Sequence, residues 1–72
     1  MHYTLILNNE VKDPLLLEEK NKSLSKLIEK LDLRPGQVAI KVNNNFIQIK
    51  EYKDFEISNN DSIEIITLIA GG

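Results

Sequence analysis

Residues 61–72 read DSIEIITLIAGG. Side chains alternate along a strand, so Ile63 and Ile65 share one face while Glu64, Ile66 and Leu68 share the other. Glu64 belongs in water, which turns Ile63 and Ile65 toward a core and leaves Ile66 and Leu68 on the outward face. Ala70, Gly71 and Gly72 follow directly. A glycine pair there packs nothing, caps nothing and keeps the chain mobile. Such an ending makes sense if the terminal carboxylate is itself the working group.

Working outward from this strand, the 72 residues hold a single domain, 1–72, with 70–72 expected as a flexible tail. A core of this size supplies only about 3–5 kcal/mol of net stability. YTLILNN (3–9) alternates as a strand, with Tyr3, Leu5 and Leu7 on the inner face and Ile6 outside, and Asn8-Asn9 is a turn signal. EVKDPLLLEE (10–19) reads as the returning strand. Pro14 cannot donate a ladder hydrogen bond, so that strand should lie at an edge or be irregular there.

One segment is helical. In KNKSLSKLIEKLDLRPG (20–36) Ser23 is an N-cap, and Leu24, Leu27, Ile28 and Leu31 recur at helical spacing. Lys26, Glu29 and Lys30 take the solvent side. The helix should run about ten residues and stop at Leu33-Arg34-Pro35-Gly36. QVAIKVNNNFIQI (37–49) then gives two short strands around Asn43-Asn44-Asn45, with Val38, Ile40 and Val42 facing inward. In KEYKDFEISNND (50–61) Tyr52 and Phe55 anchor a loop-like stretch, and Asn59-Asn60-Asp61 makes the last turn. The expected fold is α+β, a mixed four- to five-stranded sheet with one main helix packed on one face. If the first and last strands are neighbours, Ile6, Ile66 and Leu68 form an apolar docking patch at the root of the tail.

Several function classes drop out. Nine basic residues are spread along a chain of net charge −2, without the basic patch that nucleic acid requires. There is no cysteine for a disulfide or a Cys-ligated zinc, and the single histidine, His2, reads as an exposed strand residue, so no metal is expected. No apolar run approaches a membrane span, and no signal peptide is visible, so a cytoplasmic location is expected. Asp54, Glu56 and Asp61 lack a paired base, a histidine partner or metal spacing, and read as solvated charges; no catalytic residue is expected.

The tail suggests its own chemistry. A carboxylate acylates poorly because oxide would have to leave, and activation with ATP to an acyl-adenylate removes that obstacle. A sulfur nucleophile can then leave a thiocarboxylate. Threading the terminus through a narrow channel in extended form favours residues without a Cβ.

These segments together resemble the sulfur carrier proteins of thiamine thiazole synthesis, the ThiS family, within the ubiquitin-like β-grasp superfamily. The likeness runs from the strand ending in LNN through SLSKLIEKL (23–31), VAIKVNNNFI (38–47) and Tyr52 to NNDSIEIITLIAGG (59–72). It implies adenylation of Gly72 by a ubiquitin-activating-type enzyme that uses ATP, the chain itself binding no cofactor. It also implies sulfur derived from cysteine through a desulfurase persulfide, and transfer from the Gly72 thiocarboxylate to a thiazole synthase. Gly71 and Ala70 would thread into the partners' active sites. The chain would be a recycled co-substrate and no enzyme. Two departures stand out. Ile47-Gln48-Ile49 replaces a frequent Val-Pro-Arg, and Asn60 replaces a glycine that commonly precedes the aspartate.

The same thiocarboxylate serves the small subunit of molybdopterin synthase and the carriers of tRNA thiolation. Molybdopterin chains are usually longer, with prolines before the Gly-Gly that ITLIAGG lacks. A ubiquitin-like protein modifier and a plain β-grasp binding module are the readings from other classes.

Overall fold

Two asparagine pairs set the strand register. In the computed structural model, which describes residues 1–68, Asn8 and Asn9 sit at φ 48° and 69°, and Asn43 and Asn44 at φ 51° and 71°. Positive φ at both central residues is the signature of the type I′ hairpin turn, whose twist matches that of the flanking strands. The first turn joins β1 (Thr4–Leu7) to β2 (Glu10–Lys12), and the second joins β3 (Val38–Val42) to β4 (Asn45–Ile47). Asn45 therefore opens a strand and is not part of the reversal.

Between the hairpins lies the helix α1 (Leu24–Lys30), and the chain closes with β5 (Ser62–Thr67). All five strands form one mixed sheet in the order β2-β1-β5-β3-β4. β1 and β5 run parallel, with Leu5 opposite Ile63 and Ile6 opposite Glu64, and the other pairs are antiparallel. The expected α+β architecture is present with all five strands. As expected, β2 is an edge strand. It stops at Lys12, ahead of Pro14, so the reading of 10–19 as a continuous strand is corrected. The leucines beyond it anchor a loop: Leu17 is buried, Leu15 is partly buried, and the Leu15 carbonyl accepts a 2.7 Å hydrogen bond from the Tyr3 hydroxyl. The expectation for the tail, 70–72, falls outside the described residues.

The helix is seven residues, shorter than the ten expected, and it ends before the proline. Asp32 takes φ 61°, its N–H reaches the Glu29 carbonyl at 3.0 Å, and the Leu33 N–H reaches that of Ile28 at 2.8 Å. Those two bonds are the Schellman closure, with an aspartate where glycine is usual. Pro35 instead opens a single 3-10 turn, Pro35–Gln37. At the other end the donors of the first three helical residues find partners outside the helix. The N–H groups of Leu24 and Ser25 bond the carbonyls of Phe55 and Tyr52, each at 3.0 Å, and that of Lys26 bonds the Ser23 hydroxyl at 3.1 Å. The 50–58 stretch thus caps the helix as well as covering it.

The core lies between α1 and one face of the sheet. Leu24, Leu27 and Ile28 meet Tyr3 and Leu5 from β1's side, Val38, Ile40 and Val42 from β3, and Ile63 and Ile65 from β5. Tyr52 and Ile57 complete it, and Phe55 packs against its margin. Ile57, absent from the sequence expectations, is fully buried; its N–H bonds the Lys22 carbonyl at 2.9 Å.

Truncating Leu27 to alanine should cost about 2–5 kcal/mol, enough to leave a domain of this size largely unfolded in urea titrations. Ser23→Ala, which removes the cap alone, should cost about 1 kcal/mol and leave a folded protein. Burial raises the ionisation of Tyr3 and Tyr52 above the ordinary phenol value. Their contribution is present below the pKa of the unfolded phenol and lost as pH rises through the folded value, so the denaturation midpoint should fall on the alkaline side.

Candidate functional site

Two features converge at the end of β5: the open face of the sheet and the point where the chain leaves it. On the open face, the pairings place one residue from every strand in a single row. Val11 of β2 opposes Ile6, Ile6 opposes Glu64, Glu64 opposes Lys41, and Lys41 opposes Phe46 of β4. The centre of the row is charged. Lys41 Nζ lies 3.9 Å from Glu64 Oε1 and 5.1 Å from the centre of the Phe46 ring. Both charged side chains are partly covered, and a pair so placed contributes at most about 1 kcal/mol. The flanks are apolar, with Val11 and Phe46 exposed.

Ile66 stands opposite Ala39, one step further along the same face. Ile6 and Ile66 are both half-buried and lie diagonal to each other, because the strand partner of Ile6 is Glu64. Leu68, just past the strand, is 60% exposed. The structure therefore brings Ile6 and Ile66 to one side of the sheet, in the orientation that alternation requires, with Leu68 exposed just past the strand. Val11, Phe46 and Lys41 join that side and were missed. The signal for them was present: a two-residue turn at Asn8-Asn9 or Asn43-Asn44 determines which residues face each other across the hairpin.

At the exit, the Thr67 N–H donates to Asn8 Oδ1 at 2.9 Å, the Thr67 hydroxyl lies 3.2 Å from the same oxygen, and the Leu68 N–H donates to the Gln37 carbonyl at 2.8 Å. The expected tail residues Ala70, Gly71 and Gly72 lie outside the described residues.

The remaining candidates have structural roles or none. Asp61 accepts from the Ser58 N–H at 2.8 Å and from the Asn43 amide at 3.0 Å, so it holds the turn before β5. Asn60 adopts φ 71° there, as a glycine would. Asp54 and Glu56 are exposed. Among the described residues no three His, Cys, Asp or Glu side chains are grouped to hold a metal ion, and no helix is long and apolar enough to cross a membrane.

Comparison with known proteins bears on the whole chain. The model of the ThiS family matches residues 5–72. An uncharacterized protein, ycf40, of Trieres chinensis is 34% identical over 50 residues, covering 69% of this chain and 68% of its own. The crystal structure of a thiamine biosynthesis protein (ThiS) from Geobacter metallireducens has the same fold, with a TM-score of 0.66 at 14% identity over 96% of this chain and 99% of that one. Family match and fold agree along nearly the full length: the chain belongs to the ThiS family of ubiquitin-like β-grasp proteins, small sulfur carriers rather than enzymes.

Proposed function

We propose that this chain carries sulfur for the thiazole ring of thiamine, as a C-terminal thiocarboxylate on Gly72. The observation that carries the reading is the extent of the family match, which runs through Gly71 and Gly72. The named thiamine biosynthesis protein of the same fold supports it.

The chemistry follows from the carboxylate. In the active site of a ubiquitin-activating-type enzyme, a Gly72 oxygen attacks the α-phosphorus of ATP and pyrophosphate leaves. Sulfur from a desulfurase persulfide, brought to the sulfide level by a thiol reductant, attacks the carbonyl carbon. AMP departs with the original oxygen, and the thiocarboxylate remains. A thiazole synthase then takes the sulfur, and an oxygen from the acceptor's carbonyl or from water replaces it at the carbonyl carbon, returning the carboxylate. The carrier supplies no acid, base or metal; it supplies a terminus that fits. Gly71 and Gly72 have no Cβ to clash in a narrow channel, and Ala70 has the smallest side chain.

Docking of the cytoplasmic partner enzymes falls to the open sheet face. Ile6, Ile66 and Leu68 offer apolar contact beside the point where the chain leaves β5, and the partly covered Lys41–Glu64 pair at the centre of the face adds a polar register mark.

Intact-mass measurement of the chain, produced without a C-terminal tag beside its activating enzyme, desulfurase and ATP, should show one oxygen replaced by sulfur at Gly72. An unmodified mass under those conditions would sink the reading. Thiazole formation in the reconstituted system separates thiamine from molybdopterin and tRNA substrates. Deleting Gly71 and Gly72 should abolish transfer while leaving unfolding unchanged.

The docking role has its own check. Leu68→Ala should change stability by no more than about 0.5 kcal/mol. Combined with Ile66→Ala it should weaken binding to the activating enzyme about tenfold. Wild-type affinity in the double variant would remove the patch from the interface.

A further inference from the structure

Asn8 makes an unusual pair of contacts. It lies in the β1–β2 turn, yet its side-chain oxygen takes hydrogen bonds from Thr67, 59 residues later. In a regular parallel ladder the bonds of β1 and β5 alternate: the Asn8 N–H would go to the Ile65 carbonyl, and the Thr67 N–H to the Asn8 carbonyl. The first bond is present at 2.9 Å. The second cannot form in the same way, because Asn8 has turned to φ 48° and its main chain has left the ladder. Its Oδ1 stands in for the missing carbonyl and accepts the Thr67 N–H at 2.9 Å. The oxygen, not the amide nitrogen, must face Thr67, because an N–H needs an acceptor.

On the opposite side of β5 the Leu68 N–H is taken by the Gln37 carbonyl at 2.8 Å. That carbonyl is held in turn, since the Gln37 N–H bonds back to the Arg34 carbonyl at 2.9 Å across the 3-10 turn. Successive N–H groups, that of Thr67 at the end of β5 and that of Leu68 just past it, are thus held from alternate sides, one by a turn side chain and one by a turn backbone. β5 stays hydrogen-bonded past the end of both neighbouring strands.

We propose that Asn8 is a positioning residue for the C-terminus: with the Gln37 carbonyl it fixes where and in which direction the chain leaves the sheet, and so presents the Gly72 carboxylate to the activating enzyme. This inference rests on the carrier reading above. Gly72 lies four residues beyond Leu68, a reach of at most about 14 Å. Over so short a span the direction of departure governs where the carboxylate can go. Losing the Asn8 contact loosens Thr67, a residue whose backbone must then be ordered when the tail enters an active site.

Asn8→Gly is the informative variant. Glycine accepts φ 48° and keeps the turn, but it removes the acceptor oxygen. Asn8→Asp keeps an acceptor and tolerates the same φ. With the cognate adenylating enzyme, ATP–pyrophosphate exchange should show KM for the Asn8→Gly carrier raised about fivefold. Its kcat should stay within about twofold of wild type. Asn8→Asp should restore the KM, and Thr67→Val, which loses only the hydroxyl contact, should raise it less.

Because the carrier is the varied substrate, a merely unstable variant would also raise the apparent KM. A fivefold rise would need about four-fifths of it unfolded, however, and Ile63 and Ile65 would then lose their amide protection as well. Amide exchange gives a readout free of the enzyme: Thr67 should exchange faster in Asn8→Gly, while Ile63 and Ile65 keep their protection. An unchanged KM, or an unchanged Thr67 exchange rate, would overturn the positioning role. Failure of the wild-type chain to be adenylated at all would instead defeat the carrier reading on which it rests.

Discussion

β5 is the strand on which everything else is hung. Of the five strands it alone touches both hairpins: β1 pairs only with β2 and β5, and β3 only with β4 and β5. Without it the sheet is two separate two-stranded ribbons, a form that is marginal at best in water. Its inner residues, Ile63 and Ile65, are fully buried under the helix. The last strand before Gly72 is therefore also the one that joins the two hairpins.

Both ends of this strand are pinned by the same device. At its start Asn43, at φ 51°, offers Oδ1 to the Ser62 N–H at 2.9 Å and its carboxamide nitrogen to Asp61 at 3.0 Å. At its end Asn8, at φ 48°, offers Oδ1 to the Thr67 N–H. In each case the flanking strand turns away into a type I′ hairpin just where β5 still has a donor to satisfy. Asparagine meets both demands, since it tolerates the left-handed region and carries a carbonyl of its own. Glycine would make the turn and leave the donor; most other side chains would strain the turn.

The open face has a mixed character that suits transient binding. A wholly apolar sheet face on so small a protein would invite self-association. Here Lys41 and Glu64 occupy the middle of the row, with Val11 and Ile6 on one side and Phe46 on the other. In the docking proposed above, such charges would reward one orientation of a partner and penalise others more than they add affinity.

The sequence by itself determined the elements and their inner faces. The alternation of Ile63 and Ile65 with Glu64, the Ser23-capped stripe of Leu24, Leu27 and Ile28, and the paired asparagines are local signals, written in residues a few positions apart. The glycine pair at 71–72 was legible in the same way, as an absence of side chains. Tertiary structure decided what distant residues do together. The parallel pairing of β1 with β5 brings Asn8 to Thr67, yet nothing near Asn8 in the chain distinguishes a carboxamide that only makes a turn from one that holds a strand 59 residues away. Helix length was also settled there. The Schellman closure at Asp32 brings Leu33 back against the core, whereas Pro35, the obvious stop in the sequence, only begins the next turn. Ile57 escaped for a like reason: one isoleucine in a polar stretch has no periodicity to announce it, and its burial follows from the backbone bond that ties it to Lys22 beside the helix cap. Hydrogen bonds and burial between segments depend on the whole chain's closure, and no local pattern encodes them.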